Sequence, residues 1–278
     1  MRDFEARSGA RMPVLGQGTW KMGERASARS DEVAALQLGI DLGLTLIDTA
    51  EMYANGGAEE VVAQAIRGRR EQVFVVTKVL PGNASRTGTV RAAERSLQRL
   101  GIECIDLYLL HWMSGAHPVS ETLEAFETLR EQGKVRHYGV SNFDVGDMRD
   151  MNDARHAERV CANQVYYSPR QRGIERNLLP WCQEREIAVM AYSPLDQGEV
   201  PRSPALDAIA QRHAASIQQV ILAWTLRNAG MVIVVKASKS AHVRRNAAAL
   251  EIQLSPEDLH TIDAAHPRPS CDVPLATA

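Results

Sequence analysis

Two hydrophobic patterns alternate along the chain. Short, nearly continuous apolar runs occur at Leu44 to Ile47, Val73 to Thr77, Leu107 to Leu110, Val135 to Val140, Cys161 to Val165, Ile187 to Ala191 and Met231 to Val235. Between them, apolar residues recur at helical spacing: Val33, Leu36 and Ile40; Val61, Val62 and Ile66; Val90, Ala93, Leu97 and Leu100; Val119, Leu123, Phe126 and Leu129; Ile217, Val220, Ile221 and Trp224. A run apolar on both alternations predicts a strand buried on both faces, and a one-sided stripe predicts a helix laid over it. Gly43, Gly101 and Gly133 follow three of these stripes, where glycine readily takes the left-handed turn that ends a helix. Short helices are also predicted at Val145 to Met151, around Leu178 to Glu186 and through Asn246, with Ser255 capping a last one.

Residues 4–20 carry Gly9, Pro13, Gly16 and Gly18, which predicts a short hairpin leading into a first strand. That makes eight strand–helix units, the pattern of a (β/α)8 TIM barrel, α/β in class, as a single domain over 1–278. A doubly wound sheet would be favoured by a G-x-G-x-x-G turn after the first strand. Here Gly16-Gln17-Gly18 is followed by Thr19-Trp20-Lys21.

At 278 residues and 45% hydrophobic, the chain can bury a sizeable core. A net charge of -2 gives no footprint for a nucleic acid or an acidic membrane surface. No apolar run approaches the roughly 18 residues of a membrane span. Met1-Arg2-Asp3-Phe4 lacks the apolar region of a signal peptide, so a cytoplasmic location is expected. Cys104, Cys161, Cys182 and Cys271 are scattered, which predicts free thiols and no metal site.

Three successive apolar runs end in Asp48, Lys78 and His111, and Tyr53 lies in the loop after the first. In a barrel of this type the active site lies at the C-terminal ends of the strands. An acid, a cation, an imidazole and a phenol therefore converge at the functional end.

Several stretches, short alone, carry a specific order and spacing: Gly16-Gln17-Gly18-Thr19-Trp20, Asp48-Thr49-Ala50-Glu51-Met52-Tyr53, Thr77-Lys78, Leu110-His111-Trp112, Gly139-Val140-Ser141-Asn142-Phe143, Asn163-Gln164, Ala191-Tyr192-Ser193-Pro194-Leu195 and 236–246. Together they resemble the aldo-keto reductase superfamily along nearly the whole chain, its small bacterial members in particular. The resemblance implies NADPH-dependent reduction of small aldehydes and ketones, methylglyoxal-like dicarbonyls among them. It implies Tyr53 as general acid, Lys78 as the cation that lowers the phenol pKa from its ordinary value near 10, Asp48 as the carboxylate holding Lys78, and His111 as the residue orienting the substrate oxygen. For the cofactor it implies Gly18, Thr19, Trp20 and Asp48 at the first strand ends, and Ser141, Asn142 and Gln164 on the nicotinamide amide. Tyr192 would stack on the ring, with Ser193, Pro194 and Leu195 over the pyrophosphate. Lys236, Lys239, Arg244, Arg245 and Asn246 would hold the adenosine 2'-phosphate and adenine.

The chain departs from the family pattern at Val235, where proline is common, at His242, where arginine is expected, and at Arg245, where an acid is expected. The tail after Pro267 is short beside that of larger relatives, which predicts an open pocket lined by Trp20, Met52, Tyr53, Leu80, His111 and Trp112. The expected partner is a small-molecule carbonyl compound and the expected state a monomer. The competing class is a non-catalytic NADP(H)-binding regulatory protein on the same barrel.

Overall fold

The computed structural model describes residues 2–113 and 115–277. Among them, eight parallel strands close into a barrel: β3 (Leu15–Gly18), β4 (Leu46–Asp48), β5 (Phe74–Val79), β6 (Ile105–Leu110), β7 (Val135–Ser141), β8 (Val160–Tyr166), β9 (Ala188–Tyr192) and β10 (Met231–Lys236), with β10 returning to pair with β3. Ahead of them β1 (Asp3–Glu5) and β2 (Arg11–Pro13) form an antiparallel hairpin. The buried Ala6, Ala10 and Met12 of that hairpin cluster with Leu46, Val76, Leu107 and Met190 inside the barrel, so the hairpin plugs the end opposite the functional one.

The alternation of strand side chains sorts the core in two. Leu46, Val76, Leu107, Leu109, Ala162, Met190 and Val234 fill the barrel interior. Ile47, Val75, Val79, Leu110, Val165, Val189 and Ile233 pack outwards against the helices. Those helices are α1 (Arg29–Asp41), α2 (Gly57–Ala65), α3 (Arg86–Leu100), α4 (Val119–Glu131), α5 (Val145–Asn152), α6 (Leu178–Gln183), α7 (Pro204–Arg212), α8 (Ile217–Thr225), α9 (Ser240–Ala248) and α10 (Pro256–Ala265). Helix ends follow the sequence: Gly101 is left-handed at φ 64 after α3, and Ser255 accepts a hydrogen bond from the Asp258 amide at the start of α10.

Two close approaches depend on glycine. A Cβ at Gly16 would lie 2.3 Å from Leu46 Cδ2 in the barrel interior, and one at Gly39 would lie 2.0 Å from Gln17 Oε1. The second contact lets α1 sit on β3 while Gln17 Nε2 donates to Leu36 O and Leu44 O across the seam.

The structure differs from the sequence-based reading in detail. Helix α7 was not expected. Its apolar face is Leu206, Ile209 and Ala210 alone, too narrow a stripe to register, although Ser203 caps it and Pro204 opens it. Helix α6 stops at Gln183, short of the expected Glu186, which is left-handed at φ 52. Lys78 lies within β5 rather than closing it.

Candidate active site

Strand parity assembles the site. Asp48, Lys78, His111, Gln164, Tyr192 and Lys236 each lie two residues beyond the interior residues Leu46, Val76, Leu109, Ala162, Met190 and Val234. Each side chain therefore follows an inward-facing one and ends in the top layer of the barrel. Register brings the ends side by side: Gly18 is opposite both Asp48 and Lys236, Ser141 opposite Gln164, and Tyr166 opposite Tyr192.

Lys78 is wholly buried, and its ammonium donates to Asp48 Oδ1 and Oδ2, each at 2.9 Å, and to Thr49 O at 2.8 Å. Gln164 Nε2 donates to Asp48 Oδ1 at 2.8 Å. The buried pair is thus satisfied on both partners, as a buried charge requires. Burial alone would drive Lys78 towards neutrality, yet Asp48 and Tyr53 outweigh it and hold the ammonium above its ordinary pKa.

Tyr53 opens a 3₁₀ turn, Tyr53–Gly56, in which Ala54 and Asn55 are left-handed at φ 50 and φ 53. The ring lies over the strand ends. Its centroid lies 5.1 Å from Lys78 Nζ and 5.9 Å from the His111 ring, edge to face. Burial raises the phenol pKa, while Lys78 pulls it down and Asp48 pushes it up. The net direction is upward, opposite to the lowered value expected from Lys78 alone. Desolvation of the phenolate, and the neutralisation of Lys78 by Asp48, account for the difference.

His111 follows β6, its amide donating to Val79 O at 3.0 Å, and its ring stacks on Trp112 with centroids 4.0 Å apart. Burial first and the Lys78 cation second lower its pKa to about 2, so the imidazole is neutral. Its Nδ1 is buried without a hydrogen-bond partner. Asn142, left-handed at φ 58, donates to His111 O and Ser141 Oγ and accepts from the Tyr192 hydroxyl at 2.9 Å.

A cavity of about 560 Å³ opens over these groups. Gly18, Trp20, Asp48, Met52, Tyr53, His111, Trp112, Ser141, Asn142, Gln164, Tyr192, Ser193, Pro194, Leu195, Lys236, Arg245 and Asn246 line it, as the sequence-based reading placed them at one site. Lys78, Thr19, Leu80, Lys239 and Arg244 do not; Lys78 is wholly buried and reaches the cavity only through Asp48 and Tyr53, which do line it. Thr19 is buried and donates to Asp48 O, so it braces the strand ends instead. Leu80 is turned away where its amide donates to Glu51 Oε1 at 2.8 Å and the Pro81–Asn83 turn begins. Lys239 and Arg244 are exposed away from the cavity.

Lys21, Gln197, Gly198, Val200, Gln218, Val234, Val235 and His242 also line the cavity. Lys21 was legible as the residue after Trp20; it is left-handed at φ 63 with its ammonium 4.2 Å over the Trp20 ring. Gln218 comes from the start of α8, a position with no local signal. The tail residues Asp272 to Ala276 line a smaller cleft beside Tyr166 and Asp144 and stay out of the large cavity.

The donor set fits an elongated phosphorylated dinucleotide. One end of the cavity presents amide and hydroxyl groups beside an aromatic face at Tyr192. The other end presents Lys236 from the end of β10, His242 from the first turn of α9 and Arg245 from its last turn; the first turn contains no acidic residue and no side-chain cap. Open N–H groups there, with the helix dipole, suit a phosphate.

Comparison with known proteins agrees with this geometry. The profile of the aldo/keto reductase family matches residues 14–267. The Escherichia coli (strain K12) protein named methylglyoxal reductase YeaE is 50% identical over 263 residues, 93% of this chain and 92% of that one. A Bacillus subtilis (strain 168) protein named glyoxal reductase is 36% identical, over 92% of this chain and 90% of its own length. The crystal structure of an aldo/keto reductase from Klebsiella pneumoniae in complex with NADP and acetate superposes with a TM-score of 0.95, at 46% identity and with 99% of each chain covered.

Proposed function

The chain belongs to the aldo/keto reductase family, and on that basis we propose that it is an NADPH-dependent reductase of small aldehydes and ketones, methylglyoxal-like dicarbonyls among them. It acts as one barrel domain over residues 1–278, as a monomer in the cytoplasm, on a small-molecule carbonyl substrate. No helix among the described residues is long and apolar enough to cross a membrane.

When bound, NADPH supplies the hydride. The residues of the chain supply the proton and the geometry. Tyr53 keeps its proton at neutral pH because burial disfavours the phenolate. It donates that proton to the carbonyl oxygen as negative charge develops there. Lys78, fixed by both oxygens of Asp48, provides the positive field that stabilises the phenolate left behind. His111, neutral and held flat against Trp112, orients the substrate oxygen without adding a charge. Trp20, Met52 and Trp112 form the apolar rim that admits the carbonyl compound.

The observation that carries this reading is the wholly buried Lys78, clamped by Asp48 beside the Tyr53 phenol at the floor of the cavity. The test is NADPH consumption by purified protein across a panel of carbonyl compounds, with Tyr53→Phe alongside. General acid catalysis contributes about 100- to 10,000-fold, so the variant should lose turnover on that order while binding NADPH as the wild type does. Absence of carbonyl-dependent consumption in the wild type, with NADPH still bound, would favour the non-catalytic regulatory reading.

A further inference from the structure

Tyr166 takes no part in the proton chemistry and borders the smaller cleft, yet it stands directly behind Tyr192 in the cavity wall. It ends β8 and pairs in register with Tyr192. The two rings are stacked, 5.6 Å apart and 19° from parallel, so Tyr166 backs the aromatic face that borders the cavity. Its hydroxyl donates to Asp196 Oδ1 at 2.9 Å. Burial, with the charge of Asp196 added, holds the Tyr166 proton above its ordinary range, so the phenol is a permanent donor.

Asp196 is buried within the segment that follows β9, and Ser193, Pro194, Leu195, Gln197, Gly198 and Val200 of that segment line the cavity. The segment is strained. Ser193, Asp196 and Gln197 are left-handed at φ 50, φ 47 and φ 55, a region costly for residues with a Cβ. Strain of this kind persists only where the surroundings enforce it. The segment's own backbone hydrogen bonds, Asp196 N to Ser193 O, Gly198 N to Leu195 O and Glu199 N to Asp196 O, are local and set its shape without tethering it.

Tethering falls to packing at Pro194 and Leu195, to a long, exposed ion pair of Glu199 with Arg170 at 4.0 Å, and to the Asp196 carboxylate. Of the two carboxylate oxygens, Oδ1 is held by Tyr166, whereas Oδ2 is buried with no hydrogen-bond partner, the Arg170 guanidinium standing 4.0 Å away. A buried carboxylate served by a single hydrogen bond depends heavily on that bond. A ligand filling the cavity touches this segment along most of its length, so its departure is coupled to the segment's opening.

We propose that Tyr166 is a positioning residue whose hydrogen bond to Asp196 holds the 193–200 segment against the cavity and sets the rate at which NADP(H) leaves. The proposal rests on the assignment of the cavity to NADP(H), and it adds a residue that contacts neither the reacting atoms nor, directly, the cavity.

Stopped-flow fluorescence of NADPH binding and release tests it on the full chain, with wild type, Tyr166→Phe, Asp196→Ala and the double variant. Phenylalanine keeps the stack on Tyr192 and removes only the hydroxyl. Losing one hydrogen bond to a charged group should speed NADPH release roughly tenfold or more, with the association rate close to wild type. The double variant should release NADPH no faster than the faster single variant, because both changes cut the same bond. Wild-type release from Tyr166→Phe, or fully additive effects in the double variant, would overturn the proposal. Failure of the wild type itself to bind NADPH would overturn the cofactor assignment, and the latch with it.

Discussion

The cofactor's 2'-phosphate is where the structure makes its most discriminating claim. Four cations lie between Lys236 and Arg245, but Lys236 and Arg245 line the cavity whereas Lys239 and Arg244 do not. The reason is angular. In α9 successive residues turn by about 100°, so His242, Arg245 and Asn246 share a face and Arg244 lies about 200° round from His242. The perturbations are single alanine substitutions at Lys236, Lys239, Arg244 and Arg245.

A charge-assisted hydrogen bond is worth about 1.5–3 kcal/mol, and an exposed cation sits at the low end of that range. Each of Lys236→Ala and Arg245→Ala should therefore weaken NADPH binding roughly tenfold, and the pair together roughly a hundredfold. Arg244→Ala and Lys239→Ala should leave it near wild type. NADH lacks the phosphate, so its dissociation constant should change little in all four variants. Equilibrium fluorescence titration with both nucleotides reads these values directly. An Arg244→Ala effect as large as that of Arg245→Ala would refute the facing argument. Parallel losses for NADH would show that the segment does not read the phosphate.

Lys78→Met leaves the Asp48 carboxylate buried with Gln164 as its remaining side-chain donor, and breaking such a pair costs about 3–5 kcal/mol. Both turnover and the urea midpoint should fall, and an unchanged midpoint would contradict the picture of Lys78 as a fully desolvated partner. His111 titrates near 6.5 when unfolded and at about 2 in the fold. A depressed folded pKa favours the native state above 6.5 and loses that contribution as pH falls towards 2. The stability difference between wild type and His111→Asn, followed by urea unfolding at a series of pH values, should therefore shrink steadily below about pH 6.5; a pH-independent difference would refute the buried, neutral imidazole.

Much of the site was legible because parity is legible. Asp48, Lys78 and His111 are polar residues at strand ends, two positions beyond an interior apolar residue, and a barrel turns that pattern into a shared layer. Tyr53 was legible as a phenol in the loop after the first of these runs, but its role as acid, like the placement of the left-handed Asn142, required the family resemblance. The direction of the Tyr53 pKa was not legible, because it depends on how far burial outweighs a cation already neutralised by Asp48. Nor was the failure of Leu80 to reach the cavity. Parity would point it inward, but the Glu51 carboxylate captures its amide and the chain turns away. Gln218 enters from the start of α8, where nothing local marks it, whereas Gln197 lies just two residues past Leu195.

The bond from Gln164 to Asp48 joins residues 116 apart in the chain. With Lys78 gripping Asp48, and Asn142 bridging His111 and Tyr192, the rim of the barrel is laced by its own polar side chains. Asp48, Lys78 and Gln164 are thus anchored to one another and to strands, and only the short turn after β4 brings in a reacting group, Tyr53, from a connection. Evolution can lengthen, trim or replace the connections other than the one carrying Tyr53, and so change which molecules gain entry, while the proton-delivering centre keeps its geometry. Such an enzyme is conservative in its chemistry and free to wander in its diet.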